Sequence, residues 1–180
     1  MRIGALVAVL AFAFATFVPW GRAGAGEATG RAALRVGVFD SRAIAIAYGR
    51  SPACATRFQA LHDEYEKAKA ANNEPRMKEL EREGQWSQVR LHQRAFSTAG
   101  VGSILLTVAD RVPGVARDAG VSLLVSKWEM PFVGKGVETV DVTLPLALLF
   151  RPDEQTLKLI EHLKTTPPVP FDELGLDPNE

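Results

Sequence analysis

A single cysteine, Cys54, stands in a sequence of 180 residues. No internal disulfide is open to such a chain, so its stability has to come from burial or from association between copies. An excess of one charge is missing as well: 21 Lys and Arg face 21 Asp and Glu. With no cationic surplus to displace counterions from phosphates, nucleic acid is excluded as a partner. There is no glycine-rich phosphate loop, no Gly-x-Ser-x-Gly elbow and no His-Glu-x-x-His pair. Ser41, Ser97 and Ser126 stand in no recognisable His/Asp context, and these absences together argue against an enzyme. What is there is 47% hydrophobic and 23% charged, the composition of a folded α+β domain.

The one long apolar run, Ile3 to Val18, is 16 residues, short of the ~20 that span a bilayer. Met1 and Arg2 precede it and the small-residue stretch Ala23-Gly24-Ala25 follows, which is the layout of a secretory signal peptide over residues 1–25 with cleavage after Ala25, the alternative being an uncleaved N-terminal anchor. The expected compartment is periplasmic or otherwise exported, with no stable membrane span once the leader is removed. Cleavage takes away Arg2 and Arg22, reducing the basic residues from 21 to 19 against 21 acidic, a formal charge of −2.

Residues 26–33, rich in Gly and Ala, read as a flexible lead-in. Leu34 to Phe39 reads as a short buried strand, after which Asp40 and Ser41 supply side-chain oxygens to start a helix through Ala47. From about residue 53, Phe58, Leu61, Tyr65 and Ala68 recur at helical spacing and form a seam. Asn72-Asn73-Glu74-Pro75 then reverses the chain near residue 73. On the returning arm, Trp86, Val89, Gln93 and Phe96 share one face, so an antiparallel helical hairpin is expected over about 53–96. Gly120 is placed to end a further helix in the left-handed conformation. Val121 to Trp128 and Val137 to Val142 read as strands, and Thr143 opens a short helix. Leu157, Ile160 and Leu163 face inward from another, and the Pro-rich, acidic residues 165–180 read as a disordered tail. With the hairpin arms set aside, about 91 residues of residues 34–164 remain to form a core. That is little, so a homo-oligomer is expected.

The candidate chemistry is sparse. Asp40 and Asp141 end strands and would converge as a carboxylate pair, but they are read as structural caps, Asp40 on its helix and Asp141 on the turn before Thr143. His62 and Glu66 are spaced for a shared metal. Reflection through the turn leaves His92 ~12 Å away along the helix axis, so no metal site is assigned and no cofactor is implied. Trp128 to Val133 form an apolar cluster read as covering a core or a subunit boundary. Cys54 is read as a packing residue. Tyr65, Met77 and Trp86 are the residues assigned to client contact.

The order of these parts resembles the Skp/OmpH-like periplasmic chaperones. The family's opening Ile-Ala-Val-Val-Asp strand is echoed by Val36-Gly37-Val38-Phe39-Asp40. Its closing Gly-Val-Asp-Leu-Val-Val and Asp-Ile-Thr elements are echoed by Gly120-Val121-Ser122-Leu123-Leu124-Val125 and Asp141-Val142-Thr143. The resemblance covers roughly residues 34 to 150. It implies an α+β fold with a small β-sheet body and a projecting antiparallel helical hairpin, assembled as a homotrimer. It also implies an ATP-independent holdase or envelope assembly factor for unfolded outer-membrane proteins, without catalytic residues. Two features depart from the family: the arms are only about 18 residues, ~27 Å of reach, and residues 55–96 hold eight Lys and Arg against seven Asp and Glu instead of a strong basic excess. An alternative on the same scaffold is a structural or adaptor protein with one defined envelope partner.

Overall fold

The computed structural model describes residues 34–174. The leader at 1–25, the lead-in at 26–33 and the final residues 175–180 lie outside the described residues.

Strand β1 (Leu34–Phe39) is the centre of a three-stranded sheet. β2 (Leu123–Ser126) pairs on one side and β3 (Val137–Asp141) on the other, both parallel to β1, with Val38 opposite Val125 and Asp141. Parallel pairing fixes what the intervening chain has to do. The connection from residue 127 to 136 returns from the carboxyl edge of the sheet to its amino edge and crosses β1 without a helix, shorter than the dozen or more residues usual for a crossover. Gly37 faces the packed side of β1. A Cβ there would lie 2.6 Å from Leu124 Cδ2 and 3.1 to 3.2 Å from Val121 and Val142, so the missing side chain is the space these residues fill.

Helix α1 (Ser41–Gly49) follows at once. Its Ala43, Ile44, Ala45 and Ala47 are all buried, so it is apolar on nearly every side and forms the centre of the core. α2 (Pro52–Ala70) begins where Ser51 Oγ accepts from the Cys54 N–H, with Pro52 in the first turn. Asn72 turns the chain with φ +51°, and Asn73 Oδ1 caps α3 (Glu74–Phe96) by accepting from the Arg76 N–H. α4 (Gly102–Leu105), a 3-10 turn at Leu106–Val108 and α5 (Val112–Ala119) make an interrupted helical stretch. Gly120 ends it at φ +63°. α6 (Thr143–Leu148) and α7 (Glu154–His162, capped by Asp153) complete the layer. Phe39, Ile44, Val101, Ile104, Leu146 and Ile160 belong to one core cluster with Tyr48 and Phe150, whose rings meet edge to face at 5.9 Å.

This architecture corrects the expected Skp/OmpH-like fold. Among the described residues there are seven α-helices and one small all-parallel sheet, so the chain is mostly helical and only weakly α+β rather than a β body with a projecting hairpin. α2 and α3 do pair, but their base is built into the core. Cys54 and Ala95 are buried in the main cluster, Phe58 and Leu91 pack against it, and Leu91 Cδ2 lies 3.1 Å from the place a Cβ on Gly49 would take. The inward face of α3 also differs from the one the sequence suggested. Leu80, Leu91 and Ala95 turn inward, whereas Trp86 is 40% and Phe96 53% exposed, because the partners of α3 are α2 at its start and the small-residue helix α1 at its end. At the other terminus, residues 165–174, expected as part of a tail, follow a path fixed by two contacts. Thr166 O accepts from Arg42, and the Val169 N–H donates to Phe96 O at 2.9 Å.

Candidate functional site

The end of β1 is held by one carboxylate. Asp40 Oδ1 accepts from the Arg42 backbone N–H (3.0 Å), Arg42 Nε (3.1 Å) and Trp128 Nε1 (3.1 Å). Oδ2 accepts from Arg42 Nη2 and Lys127 Nζ, both at 2.8 Å. Burial alone would raise the pKa of so enclosed an acid. The hydrogen bonds from Arg42, Lys127 and Trp128 outweigh it and bring Asp40 down to about 2. Arg42 is only 1% exposed and also donates to Leu163 O (3.1 Å) and Thr166 O (2.8 Å). Its guanidinium lies 5.0 Å from the Trp128 ring centre, and Lys127 Nζ lies 4.4 Å from it. A buried ion pair of this kind is tolerated because every charge is met by a partner. The cluster joins the ends of β1, β2 and α7.

The neighbouring strand end is tied in through Thr143. The Asp40 N–H donates to Thr143 Oγ1 at 3.0 Å, and the Thr143 N–H donates to Asp141 Oδ1 at 2.8 Å. The three residues read from sequence as caps, Asp40, Asp141 and Thr143, therefore meet at adjacent strand ends. Beside them opens a crevice of about 610 Å³, walled by Val38 and Phe39 of β1, Leu144, Pro145 and Leu148 of α6, and Leu157, Ile160 and Leu163 of α7. Asp141, Glu161 and Lys164 stand among its charged residues, with Lys164 Nζ 2.6 Å from Glu161. Leu144 and Leu148 are half exposed there. The carboxyl edge of a parallel sheet is the usual place for a ligand in α/β folds, and this crevice has the size and apolar lining of such a site.

With five donors on one ionised carboxylate, Asp40 has no capacity left to take a proton near neutral pH or to ligate an ion. The crevice can desolvate an apolar side chain and meet a polar backbone at its rim.

The residues assigned to client contact lie elsewhere and are not brought together in the crevice. Tyr65 is half-buried in the α2–α3 seam, its hydroxyl 3.2 Å from Glu81 Oε1; Met77 is half-buried in the first turn of α3; Trp86 is exposed midway along it. His62 and Glu66 are exposed on α2, while His92 meets the Phe96 ring edge at 5.8 Å. Cys54 is buried, and burial pushes its thiol pKa up against the opposing charge of Arg57. Of the Trp128 to Val133 cluster, Trp128 serves the Asp40 node while Phe132 is 80% exposed.

Sequence reasoning missed Arg42, Lys127 and the leucine wall. An arginine two residues after a capping aspartate, immediately before an apolar helix, was a usable signal for the first. Lys127 gave none, since nothing local brings position 127 to position 40. Comparison with protein-family models, with curated proteins and with solved structures finds no match to this chain.

Proposed function

We propose that the chain is an exported, non-enzymatic protein that holds unfolded outer-membrane polypeptides without ATP, as a holdase-type chaperone or envelope assembly factor. The observation that carries this reading is the open apolar crevice of about 610 Å³ beside a strand-end carboxylate whose charge is fully spent on structure. An apolar side chain entering it sheds water against Leu144, Leu148 and Leu157. Each such residue contributes at most about 1.5 to 3 kcal/mol. Several weak sites acting together hold a chain firmly, yet each releases readily. Exposed Trp86 and Phe132 offer further weak contacts. Leu34 and Leu123, 51% and 52% exposed on one face of the sheet, support self-association. The N-terminal layout supports export.

The test is suppression of aggregation of an unfolded outer-membrane protein by the full chain at several-fold molar excess. Suppression that Leu148→Asp removes supports the reading, and no suppression by the wild-type chain rejects it. A second reading, an adaptor for one defined envelope partner, is favoured by the docking of Val169 on the end of α3, where Phe96 is 53% and Phe171 59% exposed. Deleting residues 170–180 leaves the Arg42 to Thr166 bond in place. Loss of one stoichiometric partner in a pull-down with that deletion favours the adaptor, whereas a spread of unfolded clients favours the chaperone.

A further inference from the structure

Charge is distributed unevenly along the α2–α3 pair. From Pro52 to His62 and from Gly84 to Phe96 the two helices carry three arginines, Arg57, Arg90 and Arg94, and no Asp or Glu. The acids of the pair lie between Asp63 and Glu83, where Glu64 and Glu79 pair with Arg76. All three arginines line one cleft of about 220 Å³ at the base of the pair, together with Ser87 and Ser103, and no carboxylate lines it. Among the described residues none of the three forms an ion pair.

Three guanidiniums lining one cleft repel one another, and Arg94 is partly buried among them; the nearest acids, Glu64 and Glu83, line an adjoining cleft that Arg57 also borders. Burial holds Arg94 below its usual pKa, and the charges of Arg90 and Arg57 lower it further. The donors are also partly fixed in place. Arg94 is anchored through Nε to Gly100 O (3.0 Å) and Nη2 to Ser103 Oγ (2.9 Å), and Arg57 reaches Ser87 Oγ at 3.5 Å. Each guanidinium has five N–H groups, so most of those in the cleft remain free. Planar, forked donors held around a small concavity match the oxygens of a tetrahedral oxyanion.

We propose that Arg57, Arg90 and Arg94, with the hydroxyls of Ser87 and Ser103, form a binding site for a phosphate group, either free or at the end of a small phosphomonoester. The site is separate from the strand-end crevice and does not depend on the holdase reading. A dianion there removes the mutual repulsion of the three cations and stabilises the base of the helical pair, where it packs on α1.

The experiment is calorimetric titration of the full chain with inorganic phosphate and with glycerol phosphate in low-chloride buffer, with thermal unfolding followed in parallel. Saturable binding that raises the melting temperature, weakens at least about tenfold in Arg90→Gln and in Arg57→Gln, and is unchanged in Arg76→Gln is the expected result. Both cleft variants remove exposed side chains with at most one long hydrogen bond, so the fold is retained, and circular dichroism verifies it. A third arm uses vesicles of neutral lipid containing an anionic phospholipid. Vesicle binding that free phosphate displaces identifies a lipid headgroup as a source of the same phosphate chemistry. The site is overturned by absence of phosphate binding at millimolar concentration, or by an affinity in both cleft variants equal to that of the wild-type chain.

Discussion

The backbone N–H of Asp40 donates to Thr143 Oγ1 at 3.0 Å across 103 residues of chain, and this bond fixes the end of β1 to the start of α6. Thr143 in turn receives its own support from Asp141, so a two-bond chain sets the geometry of the crevice floor. Thr143→Val keeps the shape and removes the acceptor, leaving the Asp40 N–H unsatisfied. A loss of about 1 to 2 kcal/mol in urea unfolding is expected, with Thr143→Ser restoring most of it.

Replacing Asp40 itself has a larger effect. Asp40→Asn leaves Arg42, 1% exposed, without its counter-charge and weakens the hold on Lys127 and Trp128. Removal of one partner from a buried pair costs about 3 to 5 kcal/mol, measurable as a shift in the denaturation midpoint with little change in slope.

The acid side of the stability profile follows from the same group. Asp40 titrates at about 2 when folded and near 3.8 otherwise. A folded pKa that is depressed gives stability fully present above the unfolded value and lost as pH falls through the folded one. The contribution is about 2 kcal/mol, complete above roughly pH 5 and gone near pH 1 to 2. Unfolding free energy measured from pH 6 down to pH 2 is expected to fall in this window, and Asp40→Asn is expected to flatten the fall by that amount.

Gly37→Ala tests the packing on the central strand. A methyl group 2.6 Å from Leu124 Cδ2 and 3.1 to 3.2 Å from Val121 and Val142 forces all three to shift. Overpacking of this kind costs about 1 to 3 kcal/mol, and a lowered melting temperature with unchanged far-ultraviolet circular dichroism is the expected observation.

Leu148 allows the proposed client holding to be tested apart from stability. It is 50% exposed, so Leu148→Asp changes the unfolding free energy little, by about 0.5 kcal/mol or less, yet places a charge in the apolar crevice. Aggregation suppression is expected to drop strongly in this variant. Trp86→Ala, on a separate surface, is expected to reduce it only in part, as one weak contact among several.

Local features of the fold were legible from residue order. Leu34–Phe39 is a strand at the residues its apolar run marks, and Asp40, Asn73 and Gly120 cap or end helices where their side chains or backbone freedom demand. These interactions span two to five positions, so the residues themselves contain the information. The inward face of α3 was misread because Trp86 and Phe96 weigh heavily in any apolar pattern. The neighbour actually waiting was α1, a helix of small residues whose Gly49 accepts Leu91.

By itself the sequence determined that Leu34–Phe39 is a strand and that Asp40, Asn73 and Gly120 start or end helices. Only the tertiary structure decided that β2 and β3 both lie parallel to β1, that Lys127 and Trp128 arrive at Asp40, and that α2 and α3 are built into the core at their base. Capping and periodicity are settled within a turn or two of chain. Strand order and the neutralisation of a buried carboxylate depend on groups some 90 residues apart, which meet only when burial of the whole core outweighs the entropy of bringing them together.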